Sequence, residues 1–278
     1  MRGPGTVKVV ALGFRASYDR RHRMHIRTFS LAVALCLLLI PGRVFAQGDE
    51  IQVYDGGLAD VGTFNLTWHN NFTPKGVKAP AFPGAVVADQ SFNGVTEWAY
   101  GVTPWFEAGL YLPLYSHDTH LGWTVDGFKL RTLFAVPHAD DRRFFYGANF
   151  EFSVNSSHWD EHRVTSEVRP ILGWHLKPWD IVLNPILDTA YDGLKHLDFA
   201  PGARIAYNIS DRWAVAAEEY ADYGQVHDFA PRVEQGHQLF GVVNHTTKFV
   251  DIEAGVGVGL TDASDRVTFK LLLSKDLN

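Results

Sequence analysis

Apolar and polar residues alternate with period two through most of the chain beyond residue 60. Phe64, Leu66 and Trp68 alternate with Asn65, Thr67 and His69, and Phe106, Ala108, Leu110, Leu112 and Leu114 alternate with Glu107, Gly109 and Tyr111. Tyr146, Ala148, Phe150, Phe152 and Val154 alternate with Asn149, Glu151 and Ser153. The same rhythm runs from Ile252 to Leu260 and from Val267 to Leu273. Successive side chains of a strand point to opposite faces, so this pattern predicts strands with one apolar and one polar face. Twelve are expected, at 61–72, 91–102, 105–115, 123–136, 143–154, 164–174, 179–188, 197–208, 212–221, 237–244, 249–261 and 266–275. Past residue 46, no run of apolar residues is long enough for a membrane helix.

The connections sort by length. Short ones are expected at 103–104, 137–142, 175–178, 209–211 and 245–248, and long ones at 73–90, 116–122, 155–163, 189–196 and 222–236. Only 262–265 departs from the alternation. Short turns at one end and long loops at the other are the pattern of an outer-membrane barrel with its turns in the periplasm. Tyr100 and Trp105, Phe134 and Phe144, Trp174 and Trp179, and Tyr207 and Trp213 flank the short turns. Aromatic rings favour the membrane interface, which makes these a girdle. The expected fold is therefore all-β: a transmembrane antiparallel β-barrel of about twelve strands, contacting outer-membrane lipids and forming one domain over 47–278.

The segment 1–46 reads as a leader. Leu31 to Ile40 is an uncharged apolar run, preceded by Arg27 and followed by Val44 and Ala46 at the small-residue positions of a cut. That arrangement predicts a secretory signal peptide cleaved after Ala46. Residues 1–23 carry Arg2, Lys8, Arg15, Arg20, Arg21 and Arg23, too long and irregular for an n-region, so Met24 is the expected start. Cys36, the one cysteine, lies in the apolar run, so the exported chain has no disulfide framework and no thiolate metal cluster. Of 25 basic and 31 acidic residues, eight and one lie in 1–46, leaving 17 against 30. An acidic chain of this kind lacks the basic face of a nucleic-acid binder.

If the bulky apolar residues face lipid, the opposite faces point into the barrel. They carry Glu97, Glu107, Lys129, Arg131, Glu151, Glu167, Arg169, Arg204, Glu218 and Glu253, with Asp188, Asp251 and Lys270. A Lys or Arg toward hydrocarbon at mid-membrane costs roughly 2–4 kcal/mol, which explains the one-sided placement. Two readings stay open for these charges. They line an aqueous pore and set solute preference, or they pair into a network that fills a narrow barrel. Gly255, Gly257 and Gly259 leave space on the inner face for either.

Candidate chemistry is sparse. His117, Asp118 and His120 share one loop, and His158, Asp160, Glu161 and His162 another; these are suitable metal ligands but read as solvated loop residues. Ser156, Ser157 and His158 are adjacent, and neighbours on an extended chain point apart, so no catalytic dyad is expected. No enzyme activity, cofactor or resident metal is expected.

Val95–Leu114, VTEWAYGVTPWFEAGLYLPL, resembles the outer-membrane transporter family named for the meta-pathway of phenol degradation. Glu97, Gly101, Thr103, Glu107 and Pro113 carry the likeness, and Asp126 to Leu133 and Glu218 to Gly224 are weakly similar. The resemblance implies a barrel that moves hydrophobic or aromatic compounds and supplies no site residues. The chain closes Lys275-Asp276-Leu277-Asn278, without the terminal aromatic usual in such barrels. The leading expectation is a passive channel for small molecules, its mouth gated by 73–90 and 222–236. A closed structural or surface-interaction barrel and a lipid-modifying enzyme are the alternatives.

Overall fold

The computed structural model describes residues 48–278. The expected leader, the start at Met24 and Cys36 lie outside the described residues. The strands are β1 (Phe64–Lys75), β2 (Ser91–Thr103), β3 (Phe106–Asp118), β4 (Gly122–Ala135), β5 (Phe144–Asn155), β6 (Val164–Leu176) and β7 (Trp179–Asn184). They continue with β8 (Leu187–Thr189), β9 (Asp198–Phe199), β10 (Gly202–Ser210), β11 (Trp213–Asp222), β12 (Gly236–Thr246), β13 (Asp251–Gly259) and β14 (Val267–Asp276). Pro185 and Pro201 have no N–H to donate to a ladder, and they fall where β7 gives way to β8 and β9 to β10. Each of those pairs is one interrupted stave. The result is a closed antiparallel barrel of twelve staves, with β1 paired to β14 (Trp68 opposite Leu273) to complete the ring. Closure leaves no unpaired sheet edge.

Two local features depart from the sequence pattern. The loop expected at 116–122 shrinks to 119–121, because β3 runs on to Asp118 and β4 begins at Gly122. Asp118 accepts the backbone N–H groups of His120 and Leu121 and so caps this tight turn. The alternation of β3 also breaks at Leu112–Pro113, where its register against β4 shifts between Tyr111 and Leu114. A bulge changes which face each later residue takes. Leu114, expected on the lipid face, instead packs inside against Tyr111 and Val95.

The outer surface is apolar. Phe72, Trp98, Leu130, Phe150, Ile205, Val243 and Phe269 are all exposed, the arrangement required where the solvent is lipid. At the short-turn end the aromatics pack in neighbouring pairs: Phe64 on Tyr100, Phe106 on Phe134, Phe144 on Trp174, and Trp179 on Tyr207. This is the girdle.

The interior is filled in a way the alternation does not show. Residues 48–63 thread the lumen before β1 begins. Gly48 lies against Trp159 of a long loop, whereas Gly62 bonds Gly101 near the short β2–β3 turn, so the segment runs the height of the barrel. Val53 and Tyr54 pack with Leu133, Phe145, Ile171 and Val182, and Ile51 packs with Phe240 and Val242. Phe145 and Phe240 reach inward over Gly173 and Gly257, where a Cβ would collide with each ring. The space left by Gly257 is thus occupied by a neighbour.

Candidate functional site in the lumen

Three groups of charged side chains grip the N-terminal segment. In the first, Arg131 of β4 pairs with Glu97 of β2 at 2.8 Å and with Glu107 of β3, and His69 of β1 contacts Glu97 at 3.0 Å. Glu107 also accepts the backbone N–H of Ala59. In the second, Lys129 bridges Asp49 at 2.6 Å and Glu151 at 3.3 Å. Beside it Arg169 makes a two-pronged contact with Glu167, at 2.6 and 3.1 Å, and donates to the carbonyl of Gln52 at 3.1 Å. Glu50 stands 3.6 Å from the same guanidinium. In the third, Lys270 pairs with Glu253 at 2.6 Å and with Glu218, and donates to the carbonyl of Ile51 at 3.1 Å. Arg204 completes this group through Glu218, Glu253 and Asn244.

Tyr54 sits between the groups. Its ring lies 4.7 Å from the guanidinium carbon of Arg169 and 5.5 Å from that of Arg131, and its hydroxyl meets that of Tyr111. Two cations on the faces of one desolvated ring favour this position strongly.

Glu97, Glu107, Lys129, Arg131, Glu151, Glu167, Arg169 and Glu218 are buried, and Arg204 and Glu253 are largely so. All ten point inward and join one of the three groups. Lys270 joins the third, while Asp251 is exposed at the short-turn end. Sequence reasoning missed the partners on the threading segment: Asp49, Glu50, Tyr54 and the carbonyls of Ile51 and Gln52.

Above Asp49 the lumen opens into a vestibule of about 450 Å³ at the long-loop end. Its floor is Gly48, Asp49 and Ile51, and its walls include Asn71, Asn93, Trp159 and Asp188. Asp265 in the β13–β14 loop lies on its rim; burial pushes that carboxyl up from its usual range, against the Val77 N–H at 2.8 Å that pulls it down.

Of the histidines expected in loops, His117 falls inside β3, and His158 and His162 lie between β5 and β6. His117 packs on Trp123, and His162 lies between Asp160 at 3.4 Å and Asp192 at 3.2 Å. Among the described residues no three His, Cys, Asp or Glu groups converge to hold a metal ion. Ser156 and His158 do meet, with Oγ to Nε2 at 2.9 Å, and Asp126 approaches the same Nε2 at 2.9 Å. A triad needs the carboxylate on the other ring nitrogen, so that Nε2 is free to take the serine proton. Here Ser156 donates to the Asp126 carbonyl, and the three residues clasp the loop to β4.

A closed, even-stranded antiparallel barrel with an apolar belt and an aromatic girdle is an outer-membrane β-barrel. In keeping with that class, the chain is similar in structure to an outer membrane channel from Pseudomonas putida F1. The TM-score is 0.57 and the identity 13%, over 82% of this chain and 100% of that one. The NanC porin follows at TM-score 0.49 and 9% identity, over 77% of this chain and 100% of that one. The KdgM porin, in complex with disordered oligogalacturonate, matches at TM-score 0.49 and 8% identity, over 77% and 99%. No family model and no curated protein sequence matches the chain.

Proposed function

We propose that this protein is a passive outer-membrane channel for small molecules whose lumen is held shut by its own N-terminal segment. The observation that carries the reading is the pairing of a vestibule of about 450 Å³ at the long-loop end with a floor made of chain that belongs to no stave. The segment is anchored by ion pairs, hydrogen bonds and a few apolar contacts, with no strand ladder along Asp49–Tyr54. Such contacts can exchange for water without breaking the barrel wall. Solute would pass when the segment shifts, and the lumenal charges would then set preference among solutes. The hydrophobic or aromatic solute class implied by the likeness at Val95–Leu114 belongs to this proposal, as do cleavage after Ala46 and the absence of catalysis.

Planar-bilayer recording of the purified full chain tests it. Discrete openings are expected in the unaltered protein, with larger and longer ones when 48–58 is deleted. Silence of both the unaltered protein and the deletion variant would leave a closed structural barrel as the better reading.

A further inference from the structure

We propose that the vestibule binds small organic cations, with an ammonium group carried on an apolar or aromatic frame. Its volume, about 450 Å³, is that of a small-molecule site, within the usual range of about 300–1,000 Å³. Six carboxylates line it from the loop end: Asp160, Glu161, Asp188, Asp192, Asp198 and Asp265. Among the described residues no Lys or Arg pairs with any of them. Lys129 is the one Lys or Arg in the lining, and Asp49 and Glu151 already hold it. His162 of the same lining stands 3.4 Å from Asp160 and 3.2 Å from Asp192, and burial raises the Asp265 carboxyl, so the recess is acidic on balance rather than of one sign. An excess of acids between low-dielectric walls still concentrates cations.

A second observation is independent of the acids. Asn71 and Asn93 sit opposite each other on β1 and β2, line the same cavity, and are 1% and 7% exposed. The Asn71 amide nitrogen donates to the carbonyls of Gly48 and Asp49, and that of Asn93 donates to Ser91. Those bonds fix the orientation and leave both carboxamide oxygens without a partner. A buried acceptor of this kind calls for a donor, and an ammonium brings three donors and no acceptor. Ile51, Phe82, Val86 and Trp159 supply apolar and aromatic lining for the remainder of such a ligand. The absence of converging metal ligands among the described residues favours an organic cation over an inorganic one.

As a class of transported solute this rests on the channel reading, whereas binding itself does not require transport. The test is calorimetric titration of the full chain in detergent with phenethylammonium, and with phenethyl alcohol and hydrocinnamate as the neutral and anionic counterparts. The ammonium is expected to bind about tenfold or more tightly than the alcohol, with the carboxylate not bound and the preference shrinking in high salt. Asp188→Asn with Asp192→Asn should remove most of that preference, and Asn71→Leu should weaken binding of the ammonium. Equal affinity for amine and alcohol, no binding of either, or an unchanged preference in the double variant would each overturn the proposal. So would calcium chloride displacing the amine where sodium chloride of the same ionic strength does not, which would make the site one for an inorganic ion. Amine binding by a barrel that never conducts removes the channel reading alone; conduction without amine binding removes this proposal alone.

Discussion

Asn184 of β7 holds Tyr54 by both of its backbone groups. The Tyr54 N–H donates to Asn184 Oδ1 at 2.7 Å, and Asn184 Nδ2 donates back to the Tyr54 carbonyl at 3.0 Å. The wall thereby gives a strand-like pair of bonds to a segment that is not a strand. Asn184 is the last residue of β7, where the stave breaks ahead of Pro185, so its side chain stands at the interruption and faces the segment.

Replacing Asn184 with Ala should therefore loosen the plug more than the barrel. Two buried backbone groups of Tyr54 lose their partners, at a cost of about 1–3 kcal/mol to the seated state. Every 1.4 kcal/mol is about a tenfold change in the ratio of seated to unseated segment, so channel openings in planar bilayers should become roughly ten times more frequent or greater. The heat-modifiable mobility of the barrel on gels should change little. Opening frequency that matches the unaltered protein would show that the segment does not gate.

The orientation of the barrel has its own test. A peptide epitope inserted in 76–90 or 223–235 should bind antibody on intact cells, because those connections lie at the long-loop end with the vestibule. An epitope at 104–105 or 247–250, beside the aromatic girdle, should be reached only after the outer membrane is broken. The opposite labelling would invert the barrel.

The wall was legible in the sequence and the plug was not, for a physical reason. Period-two alternation is local, so each stave and its inward face can be read from about ten residues, as in Tyr146 to Val154. Leu114 marks the limit of that reading, since a single bulge at Leu112–Pro113 turned it from lipid to core. The threading segment carries Asp49, Glu50, Ile51, Val53 and Tyr54, a short apolar run behind two acids, and nothing in that run names its partners. Asp49 meets Lys129 and Tyr54 meets Asn184 across most of a hundred residues or more, through pairings that no local period encodes. The inward charges could be identified as inward, but whether they faced water depended on this unseen chain.

Mass analysis of the mature protein purified from membranes should give an N-terminus at Gln47 or within about two residues of it, as the small-residue site at Val44 and Ala46 demands. Gly48 and Asp49 already touch the lumen wall, at Asn71 and Lys129, so the processed chain would begin at the vestibule floor. A mature protein that still carried Leu31 to Ile40 would contradict both the leader and the proposed plug.

Arg169 offers the sharpest measure of whether the lumenal charges are dry. Its side chain is fully buried, bonded twice to Glu167, once to the Gln52 carbonyl, and stacked on Tyr54. Methionine in its place keeps much of the volume but leaves Glu50 and Glu167 inside the barrel without their nearest cation. Removing one member of a buried ion pair costs about 3–5 kcal/mol, whereas a solvated pair is worth about 0–1 kcal/mol. Arg169→Met should therefore lower stability by the larger amount, read from urea unfolding into lipid vesicles, and Arg169→Lys should fall between, since it keeps the charge without the two-pronged bond. Adding Glu50→Gln and Glu167→Gln to the methionine variant should restore much of the loss, because no uncompensated charge then remains. A methionine variant within about 1 kcal/mol of the unaltered protein would mean that water reaches this layer and that the lumen is open past the N-terminal segment.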